Sequence, residues 1–98
     1  MIIRIVKMTF KPELVPVFLK IFEESAEKIR AFPGCMRLEL LAEDENPTVM
    51  FTYSYWEAPE NLEAYRQSDL FGQTWAKTKV LFDAKPEAWS LVRKFELK

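Results

Sequence analysis

The chain contains no histidine, so the ionisable side chains that remain for chemistry are mainly lysine, arginine, tyrosine, aspartate and glutamate. Without imidazole there is no serine or cysteine triad and no histidine-ligated metal or haem. The single cysteine, Cys35, excludes an internal disulfide and a cysteine-rich metal site. The two glycines, Gly34 and Gly72, are too few for a glycine-rich dinucleotide or phosphate loop.

Aromatic residues make up 14% of the chain, which predicts large side chains around a core, a pocket or an interface. An apolar cavity that also holds a cation or a phenol can bind a small ligand and stabilise an oxyanion on it. The candidate donors to an oxyanion are Lys7, Arg37, Arg66, Arg93 and the tyrosine hydroxyls, and the nearest candidate carboxylate is Glu57. These residues also have ordinary structural explanations. Arginines on strands are commonly solvated or paired across strands, and acidic residues such as Glu57 are common near the start of a helix.

Length and charge argue against a multidomain, nucleic-acid-binding or membrane-spanning protein. The 98 residues form one domain, residues 1–98, with a net charge of −1. With 14 basic and 15 acidic residues, the sequence shows no excess of positive charge of the kind that binds nucleic acid. The longest uncharged stretch, residues 46–56, is too short to span a bilayer. The apolar N-terminal run is broken by Arg4 and Lys7, so no export signal is visible, and with a free cysteine this predicts a cytoplasmic protein.

The first half of the chain predicts strand, helix, strand. Residues 2–10 are rich in β-branched and apolar residues, as in a strand. Residues 13–32 repeat apolar side chains at three- and four-residue steps, as in an amphipathic helix, and Pro33-Gly34 ends it. Residues 35–42 alternate as a second strand, followed by a polar hairpin loop.

The second half predicts strand, two short helices, strand. Residues 48–56 form the third strand, residues 59–67 a helix that begins at Pro59, and Ser68 caps a third helix. Residues 87–97 alternate as the last strand. The order is β-α-β-β-α-β with the second helical segment divided, which predicts an α+β ferredoxin-like fold with one antiparallel sheet and its helices on one face.

The first strand is apolar on both sides, with Ile3 and Ile5 on one side and Ile2, Val6, Met8 and Phe10 on the other. A sheet whose helices cover one face leaves the other face bare. A second copy of the chain would cover it, so the pattern predicts a two-fold homodimer through the open sheet face.

Four short segments resemble the antibiotic biosynthesis monooxygenase family. They are Phe32-Pro33-Gly34-Cys35, Tyr55-Trp56-Glu57, Asn61-Leu62-Glu63-Ala64-Tyr65 and Gln67-Ser68-Asp69-Leu70-Phe71. The resemblance covers the whole chain in element order and is most specific over residues 53–78. It implies a dimeric α/β barrel with a ligand cleft between the sheet and the helices. It also implies a cofactor-independent monooxygenase that acts on a small aromatic substrate, a quinol or a polyketide-like compound.

The family's functional residues transfer only in part. The histidine that binds iron in haem-degrading members falls on Trp75, and the aromatic that presses on haem falls on Tyr65. Histidines of quinol-oxidising members fall on Tyr65 and Leu70. Haem degradation by that mechanism is therefore not expected, and no catalytic residue, metal or cofactor is assigned. Trp56 matches the family's recurrent tryptophan at the end of the third strand.

The resemblance and the aromatic pattern together predict a cleft for a small aromatic ligand. Its candidate lining residues are Tyr53, Tyr55, Trp56, Tyr65, Phe71 and Trp75. Phe71 and Trp75 also fit plain core packing, and Tyr53 and Tyr55 also fit a dimer interface. Two alternatives to a monooxygenase stay open, a non-catalytic small-molecule-binding homodimer and a structural homodimer whose cleft is filled by its own aromatics. A void of about 300 Å³ or more with an ionisable group inside would favour a ligand site.

Overall fold

A computed structural model describes residues 1–98 and shows four strands and three α-helices in the predicted order. The elements are β1 (Ile2–Thr9), α1 (Val15–Arg30), β2 (Cys35–Ala42), β3 (Val49–Trp56), α2 (Pro59–Arg66), α3 (Asp69–Lys79) and β4 (Glu87–Leu91). The strands form one antiparallel sheet in the order β2-β3-β1-β4. The α+β ferredoxin-like fold is confirmed. None of the helices is long and apolar enough to cross a membrane.

The first α-helix begins at Val15, two residues later than the predicted start at residue 13. Pro12–Leu14 form a 3-10 turn, in which the Val15 N–H bonds the Pro12 carbonyl. Pro16 has no N–H with which to make the corresponding α-helical bond, so the tighter turn replaces the first α-helical one. The helix ends at Arg30, before Gly34 takes a φ of +89° that an L side chain rarely adopts.

Two buried clusters hold the helices on the sheet. Met8 and Phe10 pack with Phe18, Met50 and Leu81, and the Phe10 and Phe18 rings stack with centroids 4.2 Å apart. At the other end of the sheet a second cluster is formed by Cys35, Trp56 and Leu62. Between these two clusters the helices stand away from the sheet and leave the cavity described below.

The predicted third helix and its cap are confirmed. Ser68 is the N-cap of α3, and its Oγ accepts a hydrogen bond from the Phe71 N–H at 3.1 Å. Its hydroxyl also donates to the Tyr65 carbonyl at 2.6 Å, which joins the end of α2 to the start of α3. This double contact sets the angle at which Tyr65 and Phe71 meet over the sheet.

The prediction of a last strand over 87–97 is wrong beyond Leu91. β4 pairs only with β1, and Leu91 already lies opposite Ile3, close to the start of β1. Residues beyond that point run past the end of their partner strand, so they find no ladder to join. Phe95 and Leu97 are consequently 80% and 85% exposed.

Candidate functional site

A cavity of about 360 Å³ lies between the sheet and the helices. Its lining residues are Arg4, Val6, Met8, Phe18, Phe22, Ile29, Leu38, Thr52, Ser54, Trp56, Leu62, Tyr65, Arg66, Phe71, Thr74, Trp75, Thr78, Pro86, Glu87 and Ala88. The strands supply its floor and the three helices its walls. A volume of this size is within the range of small-ligand sites, and the largely apolar lining with a few polar groups is typical of them.

The floor carries a cation at its centre. Arg4 lies on β1, an inner strand of the sheet, directly between Ser54 of β3 and Ser90 of β4. Its guanidinium Nη1 donates to Ser90 Oγ at 2.9 Å. Burial lowers the pKa of Arg4, and the nearby positive charge of Arg66 lowers it further. Arginine remains charged at neutral pH, so the floor presents a half-buried cation to whatever enters.

One wall is a continuous series of aromatic rings. Trp56 stacks on Tyr65 with centroids 5.0 Å apart and planes at 24°. Phe71 meets Tyr65 edge to face at 5.3 Å, and stacks on Trp75 at 5.9 Å with planes at 10°. Such contacts hold large flat surfaces in place, so the wall is shaped before a ligand arrives.

Hydroxyl groups complete the lining. Ser54 Oγ accepts a hydrogen bond from Trp56 Nε1 at 3.0 Å, which fixes the indole ring, and leaves its own hydrogen to donate. Thr78 Oγ1 donates to the Thr74 carbonyl at 2.7 Å, within α3. These groups can serve as ligand hydrogen-bonding partners, but a hydroxyl of ordinary pKa is not a base at neutral pH.

No imidazole or carboxylate side chain points into the cavity to serve as a general base. Burial raises the pKa of Tyr65 to about 12, and the Cys35 thiol adds to this. Burial also raises the pKa of Cys35 itself, which favours an unreactive thiol. Glu87 is the one Asp or Glu among the lining residues, but its side chain lies with Lys7, with Oε2 3.9 Å from Nζ, on the side of the sheet that faces away from the cavity. No group of three or more Cys, Asp or Glu side chains lies together as a metal site would require.

The structure brings together four of the six candidate cleft residues. Trp56, Tyr65, Phe71 and Trp75 all line the cavity. Tyr53 and Tyr55 do not. They alternate with Thr52, Ser54 and Trp56 along β3, and since those residues face the helices, the two tyrosines point to the other side of the sheet.

Tyr53 and Tyr55 instead form a polar cluster on the side of the sheet without helices. Their hydroxyls lie 3.0 Å apart, and Arg93 Nη2 donates to Tyr55 Oη at 3.0 Å. The hydrogen bond between the two hydroxyls lowers the pKa of Tyr55 and raises the pKa of Tyr53, and the hydrogen bond from Arg93 lowers the pKa of Tyr55 further. Arg37 is also on this side, with its guanidinium 5.8 Å from the Tyr55 ring centroid.

Of the candidate oxyanion donors, only Arg66 and the Tyr65 side chain line the cavity. Lys7, Arg37 and Arg93 do not line it, and Glu57 is exposed outside it. Arg4 was not among the predicted donors. The sequence shows only that Arg4 shares its side of β1 with the apolar residues Val6 and Met8, and the structure turns that side toward the helices.

Comparison with known proteins extends these observations. A family model described as antibiotic biosynthesis monooxygenase matches residues 1–77. No curated protein gives a significant match. A solved structure of an antibiotic biosynthesis monooxygenase is 18% identical, with a TM-score of 0.89 and coverage of 95% of this chain and 98% of that one.

Two further solved structures are as similar in fold. A conserved protein from Methanosarcina mazei Go1 is 26% identical, with a TM-score of 0.89 and coverage of 95% of this chain and 93% of that one. A protein from Mycobacterium tuberculosis is 14% identical, with the same TM-score and coverage of 99% and 98%. At the lower identities the likeness establishes the fold and leaves the chemistry to the residues of the cavity.

Proposed function

The chain belongs to the antibiotic biosynthesis monooxygenase family, and from that premise we propose that it oxidises a small aromatic substrate with molecular oxygen and without a cofactor. The substrate class is a quinol or a polyketide-like phenol. The observation that carries the proposal is the cavity of about 360 Å³, because an aromatic wall and an arginine floor border the same space. A chain with a merely structural role would gain stability by filling that space.

The substrate is the source of all the electrons. A phenol loses its proton, and the resulting phenolate transfers one electron to oxygen. The substrate radical and superoxide then combine at a ring carbon that bears hydrogen, forming a peroxide. Loss of water breaks the O–O bond and leaves a carbonyl, so one oxygen atom enters the substrate and the other becomes water. The substrate is oxidised by four electrons and oxygen is reduced by four, which requires no external reductant.

The chain's own residues would act by binding and by electrostatics. The stacked rings of Trp56, Tyr65, Phe71 and Trp75 hold the substrate ring and exclude water. The guanidiniums of Arg4 and Arg66 stabilise the phenolate, which lowers the pKa of the bound phenol. Since the lining holds no neutral-pH base, water accepts the proton, and the rate should rise with pH until the bound phenol is ionised.

Oxygen consumption tests this function. Purified protein is mixed with anthrone or a naphthoquinol in the presence of a metal chelator and with no added cofactor. We expect uptake of one oxygen molecule per substrate, faster than in buffer alone. Arg4→Gln should lower the rate about 10- to 100-fold, because a half-buried oxyanion donor is removed. Lys20→Gln, an exposed change of the same charge on α1, is the matched control. Uptake equal to that of buffer would refute the function.

The second candidate is a non-catalytic small-molecule-binding protein of the same fold. The absence of a neutral-pH base from the cavity lining favours it. The same experiment separates the two, because a binding protein would shift its tryptophan fluorescence with the quinol, through Trp56 and Trp75, without consuming oxygen.

We further propose that the chain is a homodimer through the face of the sheet opposite the helices, referred to as the open face. It carries Ile3, Ile5, Phe51, Tyr53, Tyr55, Trp89 and Leu91. Trp89 and Leu91 are each 43% exposed, and the chain continues from them to the exposed residues Phe95 and Leu97. A contiguous apolar patch that continues into an exposed tail is typical of a surface that a second copy covers.

Light scattering tests the dimer, with an expected mass of about twice 11.6 kDa. Trp89→Glu places a charge on the open face, within the proposed interface, and should give the monomer mass. Val80→Glu is the matched control, because Val80 is 65% exposed but lies at the end of α3, away from the open face. A wild-type monomer at micromolar concentration would contradict the dimer.

A further inference from the structure

We propose that the cavity selects aromatic ligands that carry a carboxylate or an equivalent anionic group, and that Arg4 and Arg66 bind this group together. The inference rests on the proposed function for the location of the site and goes beyond it in the substrate class. An uncharged quinol would stack on the aromatic wall and make no ionic contact until it ionised. An aromatic acid would stack on the same wall and pair with both arginines as soon as it bound.

Arg4 lacks a counter-ion. It is a half-buried guanidinium on an inner strand, and its one side-chain hydrogen bond goes to the neutral Ser90 hydroxyl. The three salt bridges of the structure are Lys7–Glu87, Arg37–Glu39 and Arg66–Glu63, so no carboxylate lies within 4 Å of Arg4. A guanidinium has five N–H donors, of which this leaves most available to a ligand. A half-buried charge without a partner is unfavourable, and a structural role does not explain it.

Arg66 adds a second positive charge to the same cavity. It is the last residue of α2, and its charge acts on Arg4 strongly enough to lower the pKa of Arg4 after the effect of burial. Glu63 pairs with Arg66 at 3.4 Å on the solvent side and offsets part of this repulsion at Arg4. The two guanidiniums are thus opposed by one exposed carboxylate, which pairs with Arg66 alone, and the site keeps a net positive charge.

The other carboxylate near the cavity does not balance that charge. Glu87 lies opposite Lys7 across β4 and β1, and its Oε2 is 3.9 Å from Lys7 Nζ. The side-chain pair is therefore on the side of Lys7, which faces away from the cavity. The positive charge at Arg4 and Arg66 is left for a ligand to neutralise.

An anionic group would remove the repulsion between the two arginines when it bound. A carboxylate has two oxygens and accepts the paired N–H groups of guanidinium, which gives it a defined orientation. The remaining lining receives a flat apolar body, because the stacked pairs Trp56–Tyr65 and Phe71–Trp75 border the same space. The ligand that satisfies both parts is an aromatic ring system with an acid at one end.

Calorimetric titration with two matched probes tests the inference, 2-naphthoate and the uncharged 2-naphthamide, which share ring and shape. We expect the wild-type protein to bind 2-naphthoate about tenfold more tightly, a moderate value for charged hydrogen bonds at a half-exposed site. Arg4→Gln and, separately, Arg66→Gln should lower the affinity for 2-naphthoate toward the affinity for 2-naphthamide. Neither substitution should change the affinity for 2-naphthamide. Lys20→Gln, which removes an exposed positive charge that is not part of the lining, should alter neither affinity.

Equal affinities of the two probes for the wild-type protein would overturn the inference and leave the proposed oxygenation standing. Loss of both probes in Arg4→Gln with an unchanged circular dichroism spectrum would also overturn it, because the arginine would then shape the cavity rather than bind charge. If the wild-type protein bound neither probe, both the inference and the proposed function would fail, since the cavity would not admit an aromatic ring.

Discussion

Replacing each of the two glycines with alanine should change the free energy of unfolding in opposite directions. Gly34 follows α1 with a φ of +89°, and a Cβ built there overlaps with Cβ and Cγ of Asn61 and lies 2.5 Å from its Nδ2. The Cβ of Asn61 cannot move without the α2 backbone. Gly72 lies within α3, and a Cβ there meets no atom within 4 Å.

The magnitudes follow from these two surroundings. For Gly34→Ala, an L residue in the left-handed region costs about 1–2 kcal/mol, and overpacking costs a further 1–3 kcal/mol or so. At roughly 4–8 °C per kcal/mol for a domain of this size, the melting temperature should fall by at least about 8 °C. Gly72→Ala should stabilise the helix by about 0.5–1 kcal/mol and raise the melting temperature by about 2–8 °C.

Urea unfolding at a fixed protein concentration measures both variants. Adding Asn61→Gly to the Gly34→Ala background should recover the steric part of the loss and leave the backbone part, so the double-mutant cycle shows a coupling of about 1 kcal/mol or more. The Pro33 carbonyl also accepts from Asn61 Nδ2 at 3.4 Å, so Gly34→Ala should displace α2 and weaken ligand binding through Tyr65 and Arg66. If Gly34→Ala changed stability by less than about 0.5 kcal/mol, the reasoning from φ and contact would be refuted.

Two further predictions concern the cavity wall. Ser54→Ala leaves Nε1 of Trp56, a residue only 1% exposed, without a hydrogen-bond acceptor, and should lower the unfolding free energy measured in urea by about 1–3 kcal/mol. In a Trp56→Phe background the same change should cost almost nothing, because the donor is gone. Equal costs in both backgrounds would disprove the role of this hydrogen bond. The pKa of Tyr65 is about 12 in the folded protein and about 10 for an unfolded tyrosine, so the fold favours the neutral phenol, and this contribution to stability is complete below about pH 10 and lost as the pH rises toward 12. The unfolding free energy of the wild type should therefore fall relative to that of Tyr65→Phe over that interval, and parallel pH profiles would contradict it.

Local patterns were sufficient to predict the elements. The periodicity of residues 13–32, the Pro33-Gly34 stop and the Ser68 cap act within a few residues, and the structure places helix ends there to within three residues. The order of elements and the ferredoxin-like sheet followed from these. The family resemblance, carried by segments such as Tyr55-Trp56-Glu57, is confirmed by the match over residues 1–77.

Only part of the site could be predicted, because the side of a strand that faces the helices is decided by the tertiary structure. β1 and β3 each have apolar or aromatic residues on both faces, so nothing in the sequence decides which face the helices cover. The structure turns Trp56 toward the cavity and Tyr53 and Tyr55 away from it. Helical positions such as Phe71 and Trp75 were predictable, because an amphipathic helix has only one apolar face.

By itself, the sequence determined the element order, the helix ends and the exclusion of histidine chemistry, because these depend on residue types and on neighbours along the chain. Only the tertiary structure decided that β4 ends at Leu91, since that depends on where its partner β1 begins. The placement of Arg4 is of the same kind. Its charge faces the cavity because Val6 and Met8 on the same side of β1 pack under the helices, and the strand carries all three to one face.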